Sequence, residues 1–350
     1  MNRLRFGIIG YGGMGQFHAR SISQTNGCTV KSVHDIDPLK NSLAERDGYI
    51  SHVTLDTLLD DNELDAVIVA TPNNFHKEHS LAALRAKKHV VCEKPVMLSV
   101  ADLEQVIATA NDLGMLFCSH QNRRWDEDYA IVRQILADGT IGKPFYIESR
   151  VQGANGIPGD WRCEAVAGGG MLLDWGTHLI DQILQMVDSP IAEVYAHLLN
   201  IKYQVDDNFK LLMRFQNGIS ALIEVDTYTF IPLPRWHISG DAGTLVVEGF
   251  TRNGKIIRAN HLQEHYEPSI VYTASGPTKT MAPRPVKSTE TLPLPEVHTS
   301  HLDFYHNFAA AVCGKATPYI THSQMLMMMH VIEAAQISSA EGKVIKFKKE

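Results

Sequence analysis

Three side chains stand where they could move a proton and steady a charge: Lys94 in Glu93-Lys94-Pro95, and Asp174 and His178 in the run Gly168-Gly169-Gly170-Met171-Leu172-Leu173-Asp174-Trp175-Gly176-Thr177-His178. A lysine at the end of a strand can stabilise a developing alkoxide, although most lysines are solvated surface cations. Asp174 and His178 are four residues apart, which places them on one face of a helix. A carboxylate beside an imidazole raises the ring's proton affinity and orients it, as a general base requires. The same spacing also occurs in helix-face pairs without a catalytic role. Three glycines ahead of this helix let the chain approach a neighbour closely. Asp174 and His178 could hold a metal with a third ligand, but none stands at suitable spacing, so no metal is expected.

A second constellation binds rather than reacts. Gly10-Tyr11-Gly12-Gly13-Met14-Gly15 follows the apolar run Leu4–Ile9 directly and opens a helical segment. In a strand–turn–helix context the first glycine permits the tight turn and the second admits a pyrophosphate. The third lets helix and strand pack closely, with the helix N-terminus facing the phosphates. Asp35, 20 residues past Gly15, stands where a carboxylate bonds the adenosine ribose hydroxyls and repels a 2′-phosphate, so NAD is expected over NADP. Asp37 is the alternative acid, but Asp37-Pro38 reads as the turn that starts the next helix. Ala70-Thr71-Pro72-Asn73-Asn74 ends another strand on the ligand-binding side, and Asn73 is positioned to bond the nicotinamide ribose. The expected cofactor contacts are therefore Gly10, Tyr11, Gly12, Gly13, Met14, Gly15, Asp35, Thr71, Pro72, Asn73, His76, Glu93 and Lys94.

The elements that must position these residues fall into two patterns. Leu4–Ile9, Thr29–His34, Ala66–Ala70, His89–Cys92 and Met115–Cys118 read as buried parallel strands. They alternate with helices at Gly13–Gln24, His76–Ala86 and Val100–Leu113, the last marked by Ser99 and Asp102 at its start and Gly114 at its end. This alternation predicts a doubly wound parallel sheet. After a helix at Asp126–Ala137 the pattern changes to half-buried, largely antiparallel strands: Phe145–Gln152, Glu193–Tyr203, Phe209–Phe215, Ser220–Tyr228, Trp236–Ser239 and Thr244–Glu248. Asn217-Gly218 and Asp241-Ala242-Gly243 supply turns. One helix over Met171–Val187 interrupts these strands. Helices near His301–Val312 and Ser323–Ser339 close the chain, and Glu264–Pro295 is a candidate lid or loop.

Bulk properties narrow the classes. The 350 residues suit two domains. A formal charge of −7 from 32 basic and 39 acidic residues, with no basic stripe, disfavours nucleic acid as a partner. No apolar run is long enough for a signal peptide or a membrane span. Cys28, Cys92, Cys118, Cys163 and Cys313 are odd in number and scattered, without disulfide or zinc spacing, which fits a reducing cytoplasm.

With its glycine loop, Ala70-Thr71-Pro72-Asn73, Glu93-Lys94-Pro95 and the Gly-Gly-Gly…Asp174…His178 helix in this order, the chain resembles the glucose–fructose oxidoreductase, inositol dehydrogenase and rhizopine-catabolism (Gfo/Idh/MocA) family along nearly its whole length. The resemblance implies an α/β Rossmann domain at 1–124 and an α+β domain at 125–297 with a large open, mostly antiparallel sheet. It further implies that helices in 298–350 return to the Rossmann domain. It also implies an NAD(P)-dependent enzyme, a homodimer or homotetramer through the open sheet face, and sugars or cyclic polyols as substrates. Lys94, Asp174 and His178 match the family's chemical residues. His178 then accepts the hydroxyl proton, Lys94 steadies the oxygen, and Asp174 binds a neighbouring hydroxyl, although members differ on whether lysine or histidine is the base. Arg123, Trp125, Asp160, Trp161, Arg162 and also Trp236 and His237 are expected to shape the pocket, the Trp161-Arg162 pair foremost. Two competing readings are a redox-neutral glycosidase or epimerase that retains NAD, and a dinucleotide-sensing protein without turnover. The presence of Lys94, Asp174 and His178 disfavours the second.

Overall fold

The structure is a computed structural model describing residues 3–260, 269–280 and 282–347. Its first half runs β1 (Leu4–Ile9), α1 (Gly13–Ser23), β2 (Cys28–His34), α2 (Pro38–Arg46), β3 (Ile50–His52), α3 (Leu55–Leu59), β4 (Ala66–Val69), α4 (His76–Arg85), β5 (His89–Cys92), α5 (Val100–Leu113) and β6 (Phe117–Ser119). These strands make a six-stranded sheet of order β3-β2-β1-β4-β5-β6, parallel throughout. Helices cover both faces, so the central strands are apolar without alternation, and all four residues of β4 are buried. Strand order reverses at β1, which opens a crevice at the carboxyl ends of β1 and β4. The expected end signals operate. The Ser99 side chain caps α5, Gly114 closes it at φ 65°, and Asp37 caps α2 ahead of Pro38. The short elements β3 and α3 add to the sequence-based reading.

The second half runs α6 (Glu127–Ala137), β7 (Pro144–Gln152), α7 (Thr177–Met186), β8 (Ile191–Leu199), β9 (Asn208–Phe215), β10 (Ser220–Asp226), β11 (Trp236–Gly240), β12 (Gly243–Val247), β13 (Gly254–Ala259), β14 (Val271–Thr273), β15 (Gly276–Thr278) and β16 (Thr289–Leu292). Eight of these strands join a nine-stranded sheet whose pairs are antiparallel except β7 with β10. Of the segment expected as a lid, 264–268 and 281 lie outside the described residues. The rest forms the β14–β15 hairpin and β16, which extends the sheet. Phe209, Leu211, Met213 and Phe215 are fully buried on one face of β9. The opposite face exposes Tyr195, Leu212 and Ile257.

The C-terminal segment, α8 (Leu302–Val312), α9 (His322–Glu341) and β17 (Ile345–Lys346), reaches both domains. The ring of Phe308 packs 6.0 Å from that of Phe6, which places α8 on the Rossmann domain. Glu333 of α9 accepts from Val100 N at 2.7 Å, while Ser338 accepts from Ala196 N at 2.9 Å, so α9 ties both domains. β17 pairs with β8 at the edge of the second sheet. An edge strand with unpaired backbone groups gains a partner this way, which draws the chain end across.

Candidate active site

The crevice at the β1–β4 switch holds a cavity of about 630 Å³, lined by Gly10, Gly12, Gly13, Met14, Asp35, Thr71, Pro72, Asn73, Glu93 and Lys94, and by Asp160-Trp161-Arg162 from the other domain. Gly10 sits at φ +91° with Ala70 O 2.6 Å from where a Cβ would be, and a Cβ on Gly15 would stand 2.0 Å from Gly10 O. Both positions thus exclude any side chain. At Gly12 and Gly13 a Cβ would meet nothing within 4 Å. Helix α1 has neither a side-chain cap nor an acidic residue in its first turn, so its N-terminal N–H groups and positive dipole end lack a partner of the protein's own. A pyrophosphate suits such a cradle. Asp35 is held at the rim by Tyr11 N at 2.6 Å and Asp37 N at 2.9 Å. Carboxylate lone pairs remain for ribose hydroxyls.

Three expected cofactor contacts turn out to be supports. The Tyr11 side chain is buried and bonds Asp47 at 2.7 Å. Its backbone N–H, not its ring, serves the site. His76 is wholly buried, its two ring nitrogens bonded to Pro95 O at 2.8 Å and Thr71 O at 2.9 Å. It pins the two strand-end loops together. Asn73 lines the cavity, but its amide donates to Gly168 O at 2.8 Å, tying the triple-glycine loop to the Rossmann domain. Conversely, His34, Ile36, Phe75 and His79 line the Asp35 end of the cavity, with Phe75 and His79 stacked at 5.7 Å. The sequence pattern carried no sign of these apolar and aromatic walls.

At the opposite end Lys94 Nζ donates to Asp174 Oδ1 at 2.5 Å and to Asp174 O at 2.9 Å. Arg162 Nε lies 3.6 Å from the same Oδ1, and its Nη1 donates to Asp160 Oδ2 at 2.7 Å. The expected Asp174–His178 pair is therefore corrected. The carboxylate is turned to Lys94 and Arg162, because the segment Leu172–Gly176 is a π-helical turn ahead of α7 rather than regular helix. Such turns alter side-chain presentation and recur at functional sites. Burial opposes ionisation of Asp174, but Lys94 and then Arg162 outweigh it and hold the carboxyl below its usual range. His178 moves opposite to the expectation. Burial, then Lys94 and Arg123, push its imidazole well below the ordinary value. Its Nδ1 is buried and, among the described residues, has no hydrogen-bond partner.

Arg162 and Asp174 also line a second cavity of about 250 Å³, with Gln152, Asn155, Trp175, Asp226 and Thr227. Gln152 donates to Asp226 at 2.8 Å, and Thr227 presents a buried hydroxyl without a partner. Hydroxyl-bearing ligands suit this lining of planar polar groups beside an indole. Trp161 carries the Arg162 guanidinium over its ring at 4.6 Å. The remaining expected pocket residues lie elsewhere. Arg123 stacks on Trp175 at 4.1 Å and bonds Asp126, so it backs the second cavity rather than lining it. Trp125 packs on Phe304 and Tyr319, in a separate groove with Arg133 and His298. Trp236 is fully buried, its indole N–H on Asp128 at 2.7 Å, and His237 lies 3.5 Å from Glu148. Trp236 and Ile238 share the core face of β11, as period-two alternation requires.

Behind Lys94 lies a cluster that the sequence reading missed. Glu93 Oε1 accepts from His18 Nε2 at 2.8 Å and His120 Nδ1 at 2.7 Å, and Tyr305 O–H donates to His18 Nδ1 at 2.9 Å. His120 ends β6 as Thr71 and Glu93 follow β4 and β5, so the carboxyl-end rule would have found it. The three ligand-type atoms lie within 4.8 Å of one another. Both imidazoles bond one oxygen of the Glu93 carboxylate.

A phosphate cradle at the switch point, an acid at the ribose position and a lysine–carboxylate–imidazole group beside a polar cavity define an oxidoreductase with an NAD-binding Rossmann domain. Residues 4–120 match the family model described as oxidoreductase family, NAD-binding Rossmann fold, and 129–246 match the GFO/IDH/MocA C-terminal domain. The chain belongs to the Gfo/Idh/MocA family. It is 26% identical over 355 residues to the scyllo-inositol 2-dehydrogenase (NADP(+)) IolW of Bacillus subtilis, spanning 99% of this chain and 96% of that protein. It is 30% identical to the 1,5-anhydro-D-fructose reductase of Ensifer adhaerens over 69% of this chain and 75% of that one. A solved NAD-binding protein from Listeria innocua superposes with a TM-score of 0.95 at 40% identity, covering 99% of this chain and 100% of that chain. Among the described residues no helix is long and apolar enough to cross a membrane.

Proposed function

We propose that the chain is a reversible NAD-dependent dehydrogenase that oxidises a secondary hydroxyl of a sugar, sugar derivative or cyclic polyol to a ketone. The observation that carries this reading is the Lys94–Asp174 pair at 2.5 Å, set between the dinucleotide cavity and the polar cavity of Gln152, Asp226 and Thr227. A nicotinamide dinucleotide on the glycine loop supplies the acceptor for the carbinol hydride. His178, neutral and buried, takes the hydroxyl proton, so that one hydride and one proton leave the alcohol together. Lys94 steadies the charge that develops on the oxygen. Asp174 fixes the ammonium in place and bonds a neighbouring hydroxyl, while Arg162 and Asp160 hold the loop between the cavities. The two curated relatives described above, one named for an inositol and one for an anhydro-sugar, support the substrate class.

Asp35 at the cavity rim supports NAD over NADP, since a 2′-phosphate would meet its carboxylate. Exchange of Asp35 for serine should relax that preference by about tenfold, read from the Kd values of the two cofactors. The open face of the nine-stranded sheet, with Tyr195, Leu212 and Ile257 exposed, supports a homodimer or homotetramer. Five cysteines without disulfides support a cytoplasmic protein. Incubation with NAD and a panel of inositols, free sugars, glycosides and nucleotide sugars tests the activity. Reduced nicotinamide should accumulate with one class. If substrate turns over while the bound cofactor ends unchanged, the enzyme is redox-neutral and the dehydrogenase reading fails.

A further inference from the structure

Charges at the Lys94 end of the dinucleotide cavity largely cancel in pairs. Lys94 meets Asp174, and Arg162 meets Asp160. Glu93 is different. It lines the cavity, is only 5% exposed, and among the described residues is met by two imidazoles and the Lys94 backbone N–H rather than by a lysine or arginine.

The hydrogen bonds hold those imidazoles in place. His18 donates through Nε2 and accepts from Tyr305 through Nδ1, which requires one proton on the ring. His120 donates through Nδ1 to Glu93, and its Nε2 is buried with no partner. Burial opposes ionisation of Glu93, but His120 and His18 outweigh it and hold the carboxyl well below its usual range. The cluster therefore sets into a buried wall of the cavity a carboxylate that, among the described residues, no lysine or arginine meets.

We propose that the buried Glu93 carboxylate, which among the described residues no lysine or arginine meets, makes this site bind the oxidised dinucleotide in preference to the reduced one. An oxidised nicotinamide ring is a cation and a reduced one is neutral, so a fixed anion nearby distinguishes them without touching the ring's hydrogen-bonding groups. The inference rests on the cofactor reading above and goes beyond it. It assigns Glu93 the task of releasing the reduced cofactor after each oxidation, which suits net dehydrogenation over a cycle that retains the dinucleotide. A unit charge several ångströms from the ring in a partly screened interior corresponds to about a tenfold difference in affinity.

Titration calorimetry of the intact protein with NAD+ and with NADH tests this. Wild type should bind NAD+ more tightly than NADH, and Glu93→Gln should shift the Kd ratio toward NADH by about tenfold. Tyr305→Phe loosens the same cluster but keeps the charge, and should leave the ratio near its wild-type value. Tighter binding of NADH by wild type overturns the proposal whatever becomes of the variant. An equal weakening of both cofactors in Glu93→Gln, or an equal ratio shift in Tyr305→Phe, assigns Glu93 to structure alone and overturns it too. Failure of wild type to bind either form removes the cofactor reading instead, and the inference with it.

Discussion

The dinucleotide cavity and the polar cavity beside it share a wall at Lys94, Asp174 and Arg162 but are built in different ways. The first is mostly backbone: Gly10 at φ +91°, the open positions at Gly12 and Gly13, and an uncapped helix end. The second is mostly side chains drawn from β7, the π turn, β10 and the loops around them, tied to the first by the Lys94–Asp174 ion pair that crosses between domains. A backbone cradle follows from a short local motif, since only glycine satisfies its sterics. A side-chain cavity follows from long-range packing, and its partners are set by which strands become neighbours.

That contrast yields predictions in decreasing size. Substitutions at the proposed chemical residues should separate chemistry from cofactor binding. His178→Gln or Lys94→Met should lower kcat by about 10² to 10⁴ while dinucleotide affinity stays within roughly twofold. Steady-state kinetics paired with calorimetry read the split, and loss of affinity would merge the two regions into one. Substitution in the cradle should do the reverse. A Gly15→Val side chain would run into Gly10 O, abolishing dinucleotide binding and lowering stability by about 1–3 kcal/mol. Retained binding would show that the loop is not the cradle.

A smaller effect concerns the histidines buried behind the wall. Burial and His120 push His18 down to about 4, against the pull of Glu93, and His178 is depressed as well. Between about pH 6.5 and 4 the unfolded chain then binds protons that the folded chain refuses, so stability falls as pH falls through that window. The Tm of the protein should drop steadily over this range. His18→Gln should flatten the decline, and a Tm independent of pH there would contradict the assignment.

The same contrast explains what was legible in the sequence. Strand β1, helix α5 and the glycine loop lie where local pattern and end signals put them, because parallel strands covered on both faces are unmistakably apolar. The open sheet was readable through β12, but β13 to β16 are short, half-exposed strands whose pairing depends on neighbours distant in sequence. At the site, Lys94, Asp174 and His178 were singled out by residue type and position, and the structure brings Lys94 and Asp174 together. Their pairing was not legible, because four-residue spacing shows a shared face but not which partner reaches across from 80 residues earlier. Trp236 misled for the same reason: an aromatic residue suits a sugar pocket and a core equally, and the alternation of β11 decides for the core. The Glu93 cluster joins α1, β5, β6 and α8, and no local spacing announces such a group.

The central claim is that a carbinol hydride leaves the substrate for the dinucleotide within the cavity that Lys94 and Glu93 line. The most direct test uses the substrate identified from the panel, deuterated at the carbon that bears the reacting hydroxyl, with NAD+ and wild-type protein. The account predicts that mass spectrometry finds the deuterium in the reduced dinucleotide and none of it in solvent. Oxidised product with the deuterium lost to water would contradict it.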